Sequence, residues 1–138
     1  MSGPNEWNRK VIEIFRANDG KVEEFYPNAT LLLLHTTGAK SGKPRINPLV
    51  CLPDGDRIVI VASKQGRPSN PDWYYNVLAN PRVSIELYAE KFNALATITD
   101  EPERTKLFAK MAAKYPDYTK YQQKTDRVFP VIILSRLK

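Results

Sequence analysis

"TLLLLHTTGAKSGKPRINPLVCLPDGDRIVIVAS" (residues 30–63) holds three apolar runs separated by two turns. "TLLLLHTT" is a short apolar run closing on Gly38, the form of a buried strand. "RINPLVCL" and "RIVIVAS" are the next two, and the Asp-Gly of the intervening "PDGDR" is a strong hairpin signal. Three consecutive antiparallel strands are therefore expected.

Working outward, "RVSIELY" and "FNALATIT" alternate apolar and polar residues around a turn at 89–91, which gives a fourth and a fifth strand. "RVFPVIILSRL" closes the chain as a sixth, with Pro130 near its start, where a missing N–H is tolerated. Three helical stretches interleave with the strands. From Glu6 to Asn18, the apolar residues Trp7, Val11, Ile14 and Phe15 share one helical face. "SNPDWYYNVLANP" offers Asn70 or Asp72 as the cap of a short helix. In "TDEPERTKLFAKMAAKYP", Asp100 is placed to cap and Leu107, Phe108, Met111 and Ala112 form the apolar stripe. The sum is an α+β chain: a six-stranded antiparallel barrel, closed because closure removes exposed edges, with an N-terminal helix and inserted helices. One domain over residues 1–138 is expected, with residues 1–5 as a loose end.

Apolar residues make up 42% of the chain and charged residues 26%, ordinary proportions for a folded protein. No apolar run approaches the length of a membrane span, and the N-terminus lacks the apolar core of a secretory signal, so a cytoplasmic location is expected. One cysteine, Cys51, excludes an internal disulfide, and a single histidine, His35, leaves no zinc set, so no metal is expected. Both residues read as structural. The net charge of +6 favours anionic partners. The first helix reads as a lid packed on the body, with weak attachment to a membrane surface as its alternative.

The turn "TTGAKSGKPRINP" (36–48) concentrates cation where side-chain bulk is small. Gly38 and Gly42 allow close backbone approach, while Lys40, Lys43 and Arg45 can bind phosphate or carboxylate oxygens. Taken alone, the turn reads more readily as a solvated hairpin loop whose lysines keep the protein soluble. "ASKQGRPSNPDWYYN", after the third strand, repeats the chemistry with Ser63, Lys64, Gly66 and Arg67. If both loops leave the sheet at the same end, they form one basic groove leading to Trp73. Neither a G-x-G-x-x-G after a strand nor a Walker motif is present, so the common nucleotide folds are not indicated.

Three ordered segments, "LLHTTGAKSGKPRINPL", "IVIVASKQGRPSNPDWYYNVLANPRVSI" and "YPDYTKYQQKTDR" followed by "FPVIIL", resemble the deazaflavin-dependent nitroreductase family over about residues 30–137. The resemblance implies a split β-barrel and coenzyme F420, a 5-deazaflavin carrying a phosphodiester and a polyglutamate tail. It implies that Lys40, Arg45 and Lys64 hold the phosphate and tail, with Pro48, Ala62, Ser63, Trp73 and Asn76 along the deazaflavin or its ribityl chain. The expected reaction is hydride transfer from the reduced coenzyme to an activated C=C, quinone or nitro compound, for which no catalytic dyad is needed.

Tyr115, Tyr118 and Tyr121 recur every three residues, one face of a helix, and the family places tyrosines at the acceptor pocket. Simple packing of these rings is the competing reading. Tyr121 and Ser63 are the candidate catalytic hydroxyls, able to hydrogen-bond or protonate an oxyanion. The chain departs from the family pattern at Ala39, where many relatives have Arg, and at Val50 and Asp72. The first change removes one phosphate contact, and the other two alter the acceptor pocket. An FMN-binding split barrel and a nucleic-acid-binding barrel with stacking aromatics remain as alternatives, as do a monomer and a homodimer.

Overall fold

The computed structural model describes residues 4–137, and its strands pair antiparallel throughout in a single curled sheet. In chain order the elements are α1 (Pro4–Ala17), β1 (Leu31–Thr37), β2 (Pro44–Val50), β3 (Leu52–Asp54), β4 (Arg57–Val61), α2 (Asp72–Ala79), β5 (Arg82–Leu87), β6 (Glu90–Ile98), α3 (Glu103–Lys114), α4 (Asp117–Gln123) and β7 (Val131–Arg136). A short 3-10 turn, Lys64–Gly66, precedes α2. The sheet order is β2-β1-β5-β6-β7-β4-β3. Its two outer strands, β2 and β3, are consecutive stretches of chain joined at Cys51, and this continuity closes the sheet into a split barrel.

The expected second strand is thus two, and the described residues hold seven strands instead of six. β2 pairs with β1, and β3 pairs with β4. At the break, the Cys51 N–H turns aside to donate to Thr30 O at 2.9 Å. One strand cannot keep its ladder with two partners that diverge around a barrel, so the ladder changes hands at a fully buried residue.

Continuous apolar runs mark strands covered on both faces. Leu32 and Leu34 point into the barrel beside Ile58, Ile60, Ile132 and Leu134, while Leu31 and Leu33 face Val11 and Phe15 of α1. Val59, Val61, Val131 and Ile133 pack outward against Leu107 and Met111 of α3. β5 and β6 alternate instead, because only their inner residues Val83, Ile85, Ala94 and Ala96 are covered. Burying each large aliphatic side chain contributes about 1.5–3 kcal/mol, so the three clusters hold the barrel and fix the helices on it.

The helix starts differ from expectation. α1 begins at Pro4, inside the stretch expected to be loose, and residues 1–3 lie outside the described residues. α2 has no side-chain cap; Asn70 accepts from Arg127 instead, and Asp72 lies in the first turn. Glu101, not Asp100, serves α3, its Oε1 accepting from the Thr105 N–H at 3.0 Å and the Thr105 hydroxyl at 2.7 Å. Pro116 ends α3, and its restriction of the preceding residue leaves Tyr115 extended. The tyrosines therefore span two helices, with Tyr115 closing α3 and Tyr118 and Tyr121 on α4. No described helix is long and apolar enough to cross a membrane.

Candidate functional site

Four antiparallel steps lead from β1 through β5, β6 and β7 to β4, so β1 and β4 run in the same direction. The basic loops that follow them consequently leave the sheet at the same end. The first loop is a tight glycine turn: Gly38 N donates to Lys43 O at 2.8 Å and Gly42 N to Gly38 O at 3.0 Å. Gly42 sits at φ +69 with open space where a Cβ would point, which leaves its backbone accessible.

α2 ties the second loop to the first. The Asn76 Oδ1 accepts the Ala39 N–H at 2.9 Å, and its Nδ2 donates to Thr36 Oγ1 at 3.2 Å. Between the glycine turn and α2 lies a cleft of about 780 Å³ lined by Lys40, Arg45, Asn47, Asp72, Trp73 and Asn76, among others. Asn8 of α1 also lines it. Arg16, Arg57, Arg104 and Arg136 are each paired with a carboxylate, but among the described residues Lys40, Lys43, Arg45 and Lys64 are not. The cations beside the glycine turn keep their charge available to an anion.

The second loop is held by a residue to which the sequence reading assigned no role. Arg127 sends its guanidinium across 57 or more residues to Ala62 O at 3.0 Å, Ser63 O at 2.6 Å, Arg67 O at 3.0 and 3.1 Å, and the Asn70 side chain. Its flat face lies 4.7 Å from the centre of the Phe129 ring. Lys64, Gln65 and Gly66 all adopt positive φ, a costly run that this five-bond clamp supports. Lys64 Nζ donates to Ser69 Oγ at 3.2 Å. Gly66 packs directly beneath the Tyr121 backbone, leaving no room for a Cβ.

A second cleft, about 490 Å³, is lined by Val50, Tyr115, Tyr118 and Tyr121 and by the connector residues Phe25–Ala29. The rings form a ladder, Tyr115 to Tyr118 at 6.3 Å and Tyr118 to Tyr121 at 5.4 Å between centres. Tyr115 is also a brace, donating its hydroxyl to Cys51 O at 3.0 Å and accepting from Thr30 N at 3.1 Å. Burial raises the Tyr118 and Tyr121 phenols, so both keep their protons at neutral pH. Burial likewise pushes the Cys51 thiol up to about 12, which leaves it inert. His35 is an internal partner, its Nε2 at 2.6 Å from Glu86 Oε2.

The structure thus sorts the sequence candidates. Lys40, Arg45, Asp72, Trp73 and Asn76 share the first cleft, and Val50 and the tyrosines share the second. Asp72 and Val50, expected together, lie in different clefts. Among the described residues, Lys43, Pro48, Ala62, Ser63 and Lys64 line neither cleft. β2 connects the two sites, running from Arg45 at one to Val50 at the other. Arg127, Asn8 and Tyr26 escaped the sequence reading; a single Arg ahead of an apolar run was the one visible sign of the clamp.

Known proteins match this chain over nearly its whole length. Residues 7–136 match the family model described as F420H(2)-dependent quinone reductase. An F420H(2)-dependent quinone reductase of Mycobacterium tuberculosis is 39% identical over 127 residues, covering 89% of this chain and 85% of the relative. A solved F420-H2 dependent reductase superposes with a TM-score of 0.70 at 40% identity, over 76% of this chain and 93% of its own. Another solved structure, described as a domain-swapped dimer, gives a TM-score of 0.73 at 36% identity over 96% of this chain and all of its own. With the match running through both basic loops and the tyrosine ladder, the chain belongs to the F420H(2)-dependent quinone reductase family: it is an F420-dependent reductase, and coenzyme F420 is its cofactor.

Proposed function

We propose that coenzyme F420 binds with its phosphodiester and tail in the first cleft and that its deazaflavin would reach along β2 to the second cleft, which admits the quinone that is reduced by hydride transfer. The observation that carries this reading is the pair Lys40 and Arg45, which line the first cleft and have no carboxylate partner among the described residues, with Lys43 and Lys64 on the loops beside it. A phosphodiester with a carboxylate tail suits that set, and the open backbone at Gly42 suits close approach. Trp73 and Asn76 in the cleft, Pro48 on β2, and Ala62 and Ser63 just after β4 are the residues that would lie along the deazaflavin or its ribityl chain. Asp72 repels an anionic tail and so favours its placement along Lys40 and Arg45.

When bound, the reduced deazaflavin supplies a hydride. A quinone that receives it needs one further proton to become the hydroquinone. Tyr121, protonated and half-buried, donates a hydrogen bond to a quinone oxygen and stabilises the charge that develops there. Ser63 is the second candidate hydroxyl. Val50, Tyr115 and Tyr118 shape the pocket and exclude water from it. Enones and nitroaromatics present comparable electrophilic groups and are acceptors of the same class.

Mixing the protein with reduced coenzyme and a panel of quinones, enones and nitroaromatics tests the reading through bleaching of the reduced coenzyme's absorbance. Turnover with quinones is expected, and none with any quinone refutes it. A homodimer is the proposed assembly, supported by the relative described as a domain-swapped dimer, and sedimentation velocity decides it.

A further inference from the structure

The second cleft has two walls of different origin. Tyr115, Tyr118 and Tyr121 form one, and the connector between α1 and β1 supplies the other through Phe25, Tyr26, Pro27, Asn28 and Ala29. Four phenols therefore meet at one space. The Tyr115 hydroxyl is committed to Cys51 O and Thr30 N. Tyr118 is packed between its two neighbours and only 8% exposed. Tyr26 is half-buried, and its hydroxyl makes no hydrogen bond among the described residues.

The connector presents Tyr26 from a built turn. Tyr26 N donates to Val22 O at 2.8 Å, Asn28 N donates to Glu23 Oε2 at 3.1 Å, and Val22 is buried against α1. A para-quinone carries two carbonyl oxygens on opposite edges of its ring. If a phenol on α4 serves one edge, the other edge requires a donor from elsewhere.

We propose that Tyr26 is a specificity-determining residue of the acceptor site, donating from the connector wall to the quinone oxygen that Tyr121 does not reach. This rests on the reading of the second cleft as the acceptor site. Tyr26 thereby favours acceptors with two opposed carbonyls over those with one.

The test uses Y26F, which keeps the ring and removes the donor, with Y26A and Y121F beside it. Binding of menadione to the coenzyme-free protein is followed by quenching of intrinsic fluorescence, and KM is measured for menadione and for cyclohexenone, which has one carbonyl. Y26F is expected to raise the menadione Kd and KM about tenfold, as loss of one buried hydrogen bond implies, with cyclohexenone changed by less than about twofold. Coenzyme affinity and melting temperature should match the parent. If Y121F weakens menadione binding and neither Tyr26 variant does, the role of Tyr26 is refuted while the acceptor site stands. If none of the three variants alters binding, both are refuted. Equal losses for menadione and cyclohexenone in Y26F overturn the preference for opposed carbonyls and with it the proposal.

Discussion

Asn76 grips Ala39: its side-chain oxygen accepts the Ala39 N–H at 2.9 Å while its amide nitrogen donates to Thr36 at 3.2 Å. One side chain on α2 thus sets the glycine turn against the helix that follows the second basic loop. Asn76→Ala leaves the buried Thr36 hydroxyl and the Ala39 N–H without their partner. A loss of about 1–3 kcal/mol in urea unfolding is expected, with weaker coenzyme binding. Asn76→Asp keeps the acceptor for Ala39 but adds a negative charge to the cleft, so its coenzyme affinity should fall further than its stability.

The Lys40 and Arg45 pair carries a charge argument. A Lys40→Ala, Arg45→Ala double variant should lose coenzyme affinity by at least about tenfold, or roughly 1.4 kcal/mol, in a fluorescence titration. The parent's affinity should also fall more steeply with salt than that of the variant. Equal affinity in the two proteins would exclude these residues from the tail site.

Arg127 clamps the second loop with a planar fork that lysine cannot imitate. Arg127→Lys should lower stability by about 2–4 kcal/mol, because several backbone oxygens lose a charged donor together. Hydrogen exchange should locate the damage: the Gly66 and Arg67 amides, which donate to Ser63 O and Lys64 O, are expected to lose protection before the barrel strands do.

Gly66 combines φ +82 with direct backbone contact beneath Tyr121. Gly66→Ala brings both left-handed strain and a clash, and a destabilisation of about 2 kcal/mol or more is expected by thermal unfolding. Because the displaced backbone is that of Tyr121, KM for the quinone should rise as well. A coenzyme affinity equal to the parent's would confine the effect to the acceptor side.

Glu86 anchors α1 to the sheet, and its carboxyl is held down to about 2 by hydrogen bonds from Arg16, with His35 adding to the effect. A folded-state value below the unfolded one contributes stability at pH above about 4.5, and that contribution is lost as pH falls toward 2. Glu101, held down to about 2 first by the Thr105 hydroxyl, titrates in the same window. The difference between the parent and Glu86→Gln therefore isolates Glu86: the variant should be less stable at neutral pH, and the gap should close on acidification. A gap unchanged between pH 5 and pH 2 would refute the coupling.

Much of the architecture was legible locally. The runs at 31–34, 57–61 and 131–134 announce strands covered on both faces, and 82–98 announces a hairpin covered on one, because side-chain direction alternates along any strand. The Val11–Phe15 and Leu107–Met111 pairs mark helical faces for the corresponding reason. The glycine and cation content of the two loops pointed to an anion, and the ordered motifs around them to the cofactor. Strand count was less legible: nothing in "RINPLVCL" says that its ladder changes partners at Cys51, since that depends on where β1 and β4 stand around the barrel.

Periodicity and turn chemistry are properties of neighbouring residues, so the sequence by itself marked most of the strands and helical faces and the character of the basic loops. Tertiary structure alone decided which polar groups meet: Arg127 with the 62–70 loop, Asn76 with Ala39, Glu86 with Arg16 and His35, Tyr26 with the tyrosine ladder. It also parted Asp72 from Val50. A hydrogen bond between residues far apart in the chain leaves no spacing to detect, because its geometry exists only once the barrel has closed and brought both ends to one place.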